Sequence, residues 1–149
     1  MISAKINYLA KDIVMGMLAI TMFFSMTSCS KKISFLTSNV VPAARGTVNV
    51  KSDDNNNHVI KLDIINLAEP DRLQPPKQMY MVWMVTDQDV TTNIGQIKTS
   101  TGTFSKTLKA SFETVTTFKP VKIFITAEDD SDIQSPGWEV VLTTDKFNQ

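Results

Sequence analysis

Apolar side chains recur at every second position along most of this chain, the period of a strand with one face buried. RGTVNVK (45–51) directs Val48 and Val50 one way and Thr47, Asn49 and Lys51 the other. HVIKLDIINL (58–67) sets Ile60, Leu62 and Ile64 against Lys61 and Asp63. FSKTLKASF (104–112) sets Phe104, Leu108, Ala110 and Phe112 against Ser105, Thr107, Lys109 and Ser111. VKIFITA (121–127) and WEVVLTT (138–144) repeat the pattern, with Val121, Ile123, Ile125 and Ala127 set against Lys122 and Thr126, and Trp138, Val140 and Leu142 against Glu139 and Thr143. Past residue 30 no segment carries a helical stripe.

QMYMVWMVT (78–86) departs from this pattern because both of its faces are apolar. Tyr80, Val82 and Met84 share one face, and Met79, Met81, Trp83 and Val85 share the other. Such a strand is central, with its second side covered by a layer or a loop. Tyr80 and Trp83 lie an odd number of residues apart, so they cannot form one aromatic platform. AEPDRLQPPK (68–77) holds three prolines, which forbid a continuous ladder and mark a crossing between sheets. DDNNN (53–57) reads as a hairpin tip, STG (100–102) and SPG (135–137) as turns, and Gly95 within TNIGQIKT (92–99) as a bulge. About seven or eight short strands with regular turn signals predict an all-β fold, an antiparallel two-sheet immunoglobulin-like sandwich. A small closed barrel is the alternative.

An N-terminal signal segment precedes this domain. Lys5 and Lys11 open it, and IVMGMLAITMFFSM (13–26) is free of charge. That run matches a secretory apolar region and falls short of the roughly twenty residues that span a bilayer. Thr27 and Ser28 put small side chains directly before Cys29, the only cysteine. Small residues followed by Cys resemble the bacterial lipobox, in which the sulfur receives a diacylglyceryl group and the cysteine becomes the first mature residue. A lone thiol makes no intramolecular disulfide, and one Cys with one His falls short of a zinc site. The expected organisation is a lipoprotein signal peptide over 1–28, a tether over 29–43 and a β-sandwich domain over 44–149. The membrane is then a partner through the Cys29 lipid anchor. Lys31 and Lys32, directly after it, suit anionic head groups and favour a periplasmic aspect over surface export.

Charge and chemistry narrow the function. With Lys5, Lys11 and Asp12 removed, the mature chain carries a charge near −1 and no basic stripe, which excludes nucleic acid. His58, the only histidine, borders DDNNN and reads as an exposed residue at a strand start. No Gly-x-Ser-x-Gly pattern supports a Ser-His-Asp hydrolase. Glu128, Asp130, Asp132 and Glu139 fall at positions one, three, five and twelve of an EF-hand-like count, a candidate for a millimolar calcium site. Ile133 stands where that loop needs Gly, and strands flank it in place of helices, so a solvated turn is the competing reading. No catalytic residue, cofactor or firm metal site emerges. The face of Met79, Met81 and Trp83, if uncovered, is a candidate partner surface.

RGTVNV, VIKLDIINLAEPDRLQPPKQMYMVWMVTD, NIGQIKTSTGTFSKTL and VKIFITAEDDSDIQSPGWEVVL, taken in order, resemble the extracytoplasmic C-terminal domain of RskA-type anti-sigma factors. Tyr80 and Trp83 match that family's Tyr-x-x-Trp strand. Thr126, Glu128 and Pro136 match its Thr-x-Glu strand end and following turn. The family carries a sigma-binding segment and a membrane helix before this domain, where this sequence has a lipoprotein leader. What the resemblance implies is therefore the sensory or interaction domain alone, as in small Bacteroidetes-type envelope lipoproteins. The expectation is a non-catalytic, lipid-anchored envelope module that binds or senses a protein partner. A structural or assembly subunit is the alternative, and a hydrolase stands behind both.

Overall fold

The computed structural model describes residues 31–100 and 109–148, with the side chains of 98–100 left out. Eight strands follow in order: β1 (Lys31–Ser34), β2 (Arg45–Ser52), β3 (His58–Ile65), β4 (Met79–Thr86), β5 (Thr91–Ser100), β6 (Lys109–Thr116), β7 (Pro120–Glu128) and β8 (Val140–Thr143). Helical structure among the described residues is one 3-10 turn, Pro70–Arg72, inside the proline-rich loop. The strands pair in the order β1-β2-β3-β6-β5-β4-β7-β8, every pair antiparallel. They form two layers, β1-β2-β3-β6 and β5-β4-β7-β8. β5 belongs to both: it pairs with β4 as far as Ile97 and with β6 from Lys98 onward.

The topology is that of an immunoglobulin-like sandwich. β2, β3 and β6 hold the places of strands A, B and E, and β4, β7 and β8 those of C, F and G. The chain changes layer at the proline-rich loop between β3 and β4, as its composition required, and again at residues 117–119. The predicted alternation places the core. Val48, Ile60, Leu62, Val82, Ile123 and Ile125 point between the layers and are fully buried. Tyr80 is buried with them and donates its hydroxyl hydrogen to the Ala68 carbonyl at 2.9 Å. That bond satisfies the one polar atom the ring takes inside. It also ties the start of the proline-rich loop to the core.

The hairpin tip at 53–57 forms as expected. Asp53 accepts hydrogen bonds from the backbone N–H groups of Asn55 (2.9 Å) and Asn57 (2.8 Å) and from the Asn57 side chain (2.9 Å). Asn56 takes the left-handed conformation at φ 60° that such a turn demands. The bulge expected at Gly95 is also present. Val82 faces Gly95 while Trp83 faces Asn93, so Ile94 is the extra residue. Gly95 has φ 139°, and an added Cβ would stand 2.7 Å from Cε2 of Phe112.

Three boundaries differ from expectation. The stretch read as a tether is already fold from Lys31 onward: β1 pairs with β2 from Lys31, and Phe35 and Val41 are buried. Its apolar residues follow no period because most of them sit in an irregular segment that packs over the end of the core. The strand expected over 138–144 begins only at Val140, and its inner residues are the neighbours Val141 and Leu142. A register shift opposite Ile125 and Thr126 puts both inside, where strict alternation would have chosen Trp138, Val140 and Leu142. The strand expected over 104–112 is β6, and its described part buries Ala110 and half-buries Phe112. Phe104, Leu108 and most of the expected turn at 100–102 lie outside the described residues.

Registers define two ends. At the proximal end are the start of β1, the hairpin 53–57, the loops 87–90 and 117–119, and the C-terminal residues. At the distal end are segments 35–44, 66–78 and 129–139. The free edges of the layers also meet, since the Leu36 N–H donates to the Thr143 carbonyl at 2.8 Å. Stitching edge to edge removes pairing sites that would otherwise invite another chain.

Candidate functional site

The face of Met79, Met81 and Trp83 is closed. Trp83 is wholly buried, Met81 nearly so and Met79 half-buried. They lie on the outer side of β4, apart from the main core cluster. Trp83 stacks on Phe124 of β7, with ring centroids 6.3 Å apart and planes at 15°. Its indole N–H donates to Oγ1 of buried Thr126 at 2.8 Å. The segment 129–139 lies over them. It leaves β7 and returns to β8, yet the Ile133 carbonyl accepts a bond of 3.4 Å from the Asn93 side chain on β5. β5 is two strands away from β7, roughly 10 Å across the sheet, so the segment must cross β4 to reach it. The face that would have been a partner surface if uncovered is thus a second small core beneath a loop.

Glu128 holds the root of that loop. Its side chain is buried, and its carboxylate accepts the Gly137 N–H at 2.8 Å. A Cβ at Gly137 would come within 2.7 Å of that carboxylate, so glycine is what allows the approach. Asp130 accepts the Asp132 backbone N–H at 3.0 Å, a local turn. Asp129 pairs with Lys77 at 2.8 Å, and that hydrogen bond holds the ammonium above its usual pKa. The four candidate calcium ligands therefore do not converge, because Glu128 and Asp130 are turned to backbone groups. Among the described residues no cluster of three or more His, Cys, Asp and Glu side chains is placed to hold a metal ion.

Trp138 is the residue that sequence reasoning misplaced. It is 99% exposed at the distal end. With Pro75, Lys77 and Glu139 it lines a shallow cleft of about 320 Å³. Glu139 also borders an adjoining cleft of about 590 Å³, which reaches Arg72, Leu73 and segment 39–43. The signal was available in SPG (135–137): a proline and a glycine directly before Trp138 prevent the strand from starting there.

His58 opens β3 opposite Ser52, with 3.0 Å between Nδ1 and the serine oxygen. This pair closes a hairpin and lines none of the clefts described. Burial pushes the Tyr80 phenol far above its usual pKa, so it stays a neutral donor. Cys29 lies outside the described residues. Among those residues no helix is long and apolar enough to cross a membrane. Compared with protein-family models, curated proteins and solved structures, the chain matches none.

Proposed function

We propose that this chain is a non-catalytic binding module of the bacterial cell envelope, held to a membrane by an acylated Cys29, and that it engages a protein partner through its distal end. Trp138 carries the reading. A tryptophan left wholly in water exposes a large apolar area for no structural return, and such residues dominate the energy of protein interfaces. Pro75 beside it is rigid, and Lys77 and Glu139 offer one charge of each sign at the rim. That combination suits a protein surface better than a phosphate or a nucleic acid. The resemblance to the extracytoplasmic domain of RskA-type anti-sigma factors, an interaction domain, belongs to the same proposal.

Two measurements test it. Mass spectrometry of the protein from its native membrane is expected to show a diacylglyceryl group on Cys29, and Cys29→Ser to move the protein into the soluble fraction. A photo-crosslinking residue at 138 in intact cells is expected to trap one discrete protein adduct, while the same residue at Glu113, exposed on β6, traps none. Equal labelling from both positions, or none from either, refutes the distal site. A constant molar ratio to a larger assembly would identify a structural subunit instead.

A further inference from the structure

We propose that the proximal end of the sandwich, at the rim carrying Val90 and Phe118, docks on the surface of the lipid bilayer. This rests on the acylation of Cys29 put forward above.

Chain length supplies the first argument. Lys31 lies in β1, and two peptide units separate its Cα from that of Cys29. Fully extended they reach roughly 7 Å. The polar layer between water and hydrocarbon is about 5–8 Å thick on each side of a bilayer. Acyl chains attached at Cys29 lie in the hydrocarbon, and the short thioether-glycerol link adds only a few bonds, so the start of β1 is held close to the head groups.

The second argument is what surrounds that start. Lys31 Nζ donates to the Asn148 carbonyl at 2.6 Å, and Lys146 Nζ pairs with Asp89 at 2.9 Å. Val90 is the next residue, and its carbonyl accepts the Thr86 N–H at 2.9 Å. The Asp87 N–H in turn donates to the Lys119 carbonyl at 3.1 Å, beside Phe118. One continuous rim thus runs from the start of β1 through the C-terminal segment to both loops. On it Phe118 is 57% and Val90 53% exposed. These are apolar side chains on loop tips, where turn chemistry favours polar ones.

Charge chooses the manner of contact. Lys31, Lys32, Lys51, Lys119 and Lys146 share this end with Asp53, Asp54, Asp87, Asp89 and Asp145. The balance is close to neutral, so anionic lipid has little net charge to attract. Contact is by insertion of the apolar side chains beside the acyl anchor, and a zwitterionic membrane suffices. The strands then stand away from the bilayer and present Trp138 at the opposite end.

The test uses full-length acylated protein purified from cells and placed in phosphatidylcholine vesicles. Single cysteines from Phe118→Cys, Val90→Cys and, as a distal control, Ser135→Cys are labelled with a maleimide fluorophore. The thioether at Cys29 does not react. Lipids carrying a doxyl quencher are expected to reduce emission at 118 and 90 and leave 135 unchanged, with no loss of quenching in high salt. Acylated protein with equal quenching at all three positions, or at none, overturns the docking alone. A blue-shifted label at 118 that doxyl lipid does not quench indicates a protein cover, and overturns it also. Absence of the lipid mass on Cys29 removes the anchor and this proposal together.

Discussion

The two tryptophans sit in opposite environments. Trp83 is wholly buried, stacked on Phe124 and hydrogen-bonded to Thr126, whereas Trp138 stands in water. Trp83→Ala is expected to lower unfolding free energy by about 3–5 kcal/mol, because it removes a large buried ring and strands the Thr126 hydroxyl. Trp138→Ala is expected to stay within about 0.5 kcal/mol of the parent. Urea titration followed by far-ultraviolet circular dichroism measures both, and a Trp83→Ala loss also within about 0.5 kcal/mol would show that the outer cluster contributes nothing to stability. Asp53 offers a pH test. The Asn57 side chain, followed by the Asn57 backbone N–H, holds its carboxyl below the usual carboxylate pKa. The carboxylate therefore contributes stability at pH values above the ordinary aspartate pKa, and that contribution fades as pH falls through the depressed one. Melting temperatures of the parent and Asp53→Ala are expected to differ at neutral pH and to draw together in acid. A gap that persists at the lowest pH would mean that the charge is not what holds the turn.

At the scale of elements, the sharpest constraint is the bulge in β5. Gly95 combines a positive φ with a close approach to Phe112 of β6. Gly95→Ala incurs both backbone strain and overpacking, about 2–4 kcal/mol together, readable as a lower denaturation midpoint at unchanged slope. A midpoint equal to the parent's would mean that Phe112 swings aside freely. The loop over β4 is the other decisive element. From sequence it is an acidic turn with EF-hand-like spacing. In the fold its first carboxylate is tied to Gly137 and its middle to Asn93. Millimolar calcium is accordingly expected to leave the melting temperature unchanged, and a rise would restore the metal reading.

At the scale of the whole molecule, β5 pairs with both layers, and the free edges meet between Leu36 and Thr143. Neither layer can open without breaking bonds to the other. Denaturant unfolding is therefore expected as a single transition, with intrinsic fluorescence and circular dichroism coinciding. Separate midpoints would show that the layers melt independently. Strand alternation, the proline-rich crossing, the hairpin at 53–57 and the bulge at Gly95 were legible because each is a local rule: side chains in a strand change sides at every residue, proline lacks an N–H, and glycine tolerates positive φ. They carried the architecture and most of the core. Which way Trp138 faces, what covers Trp83, and whether residues 31–43 are linker or fold were not legible. Those depend on contacts between segments far apart in the chain: β1 with β2, Asn93 with Ile133, Glu128 with Gly137. Periodicity says which side of a strand is apolar, but burial is settled by what the rest of the chain lays over it.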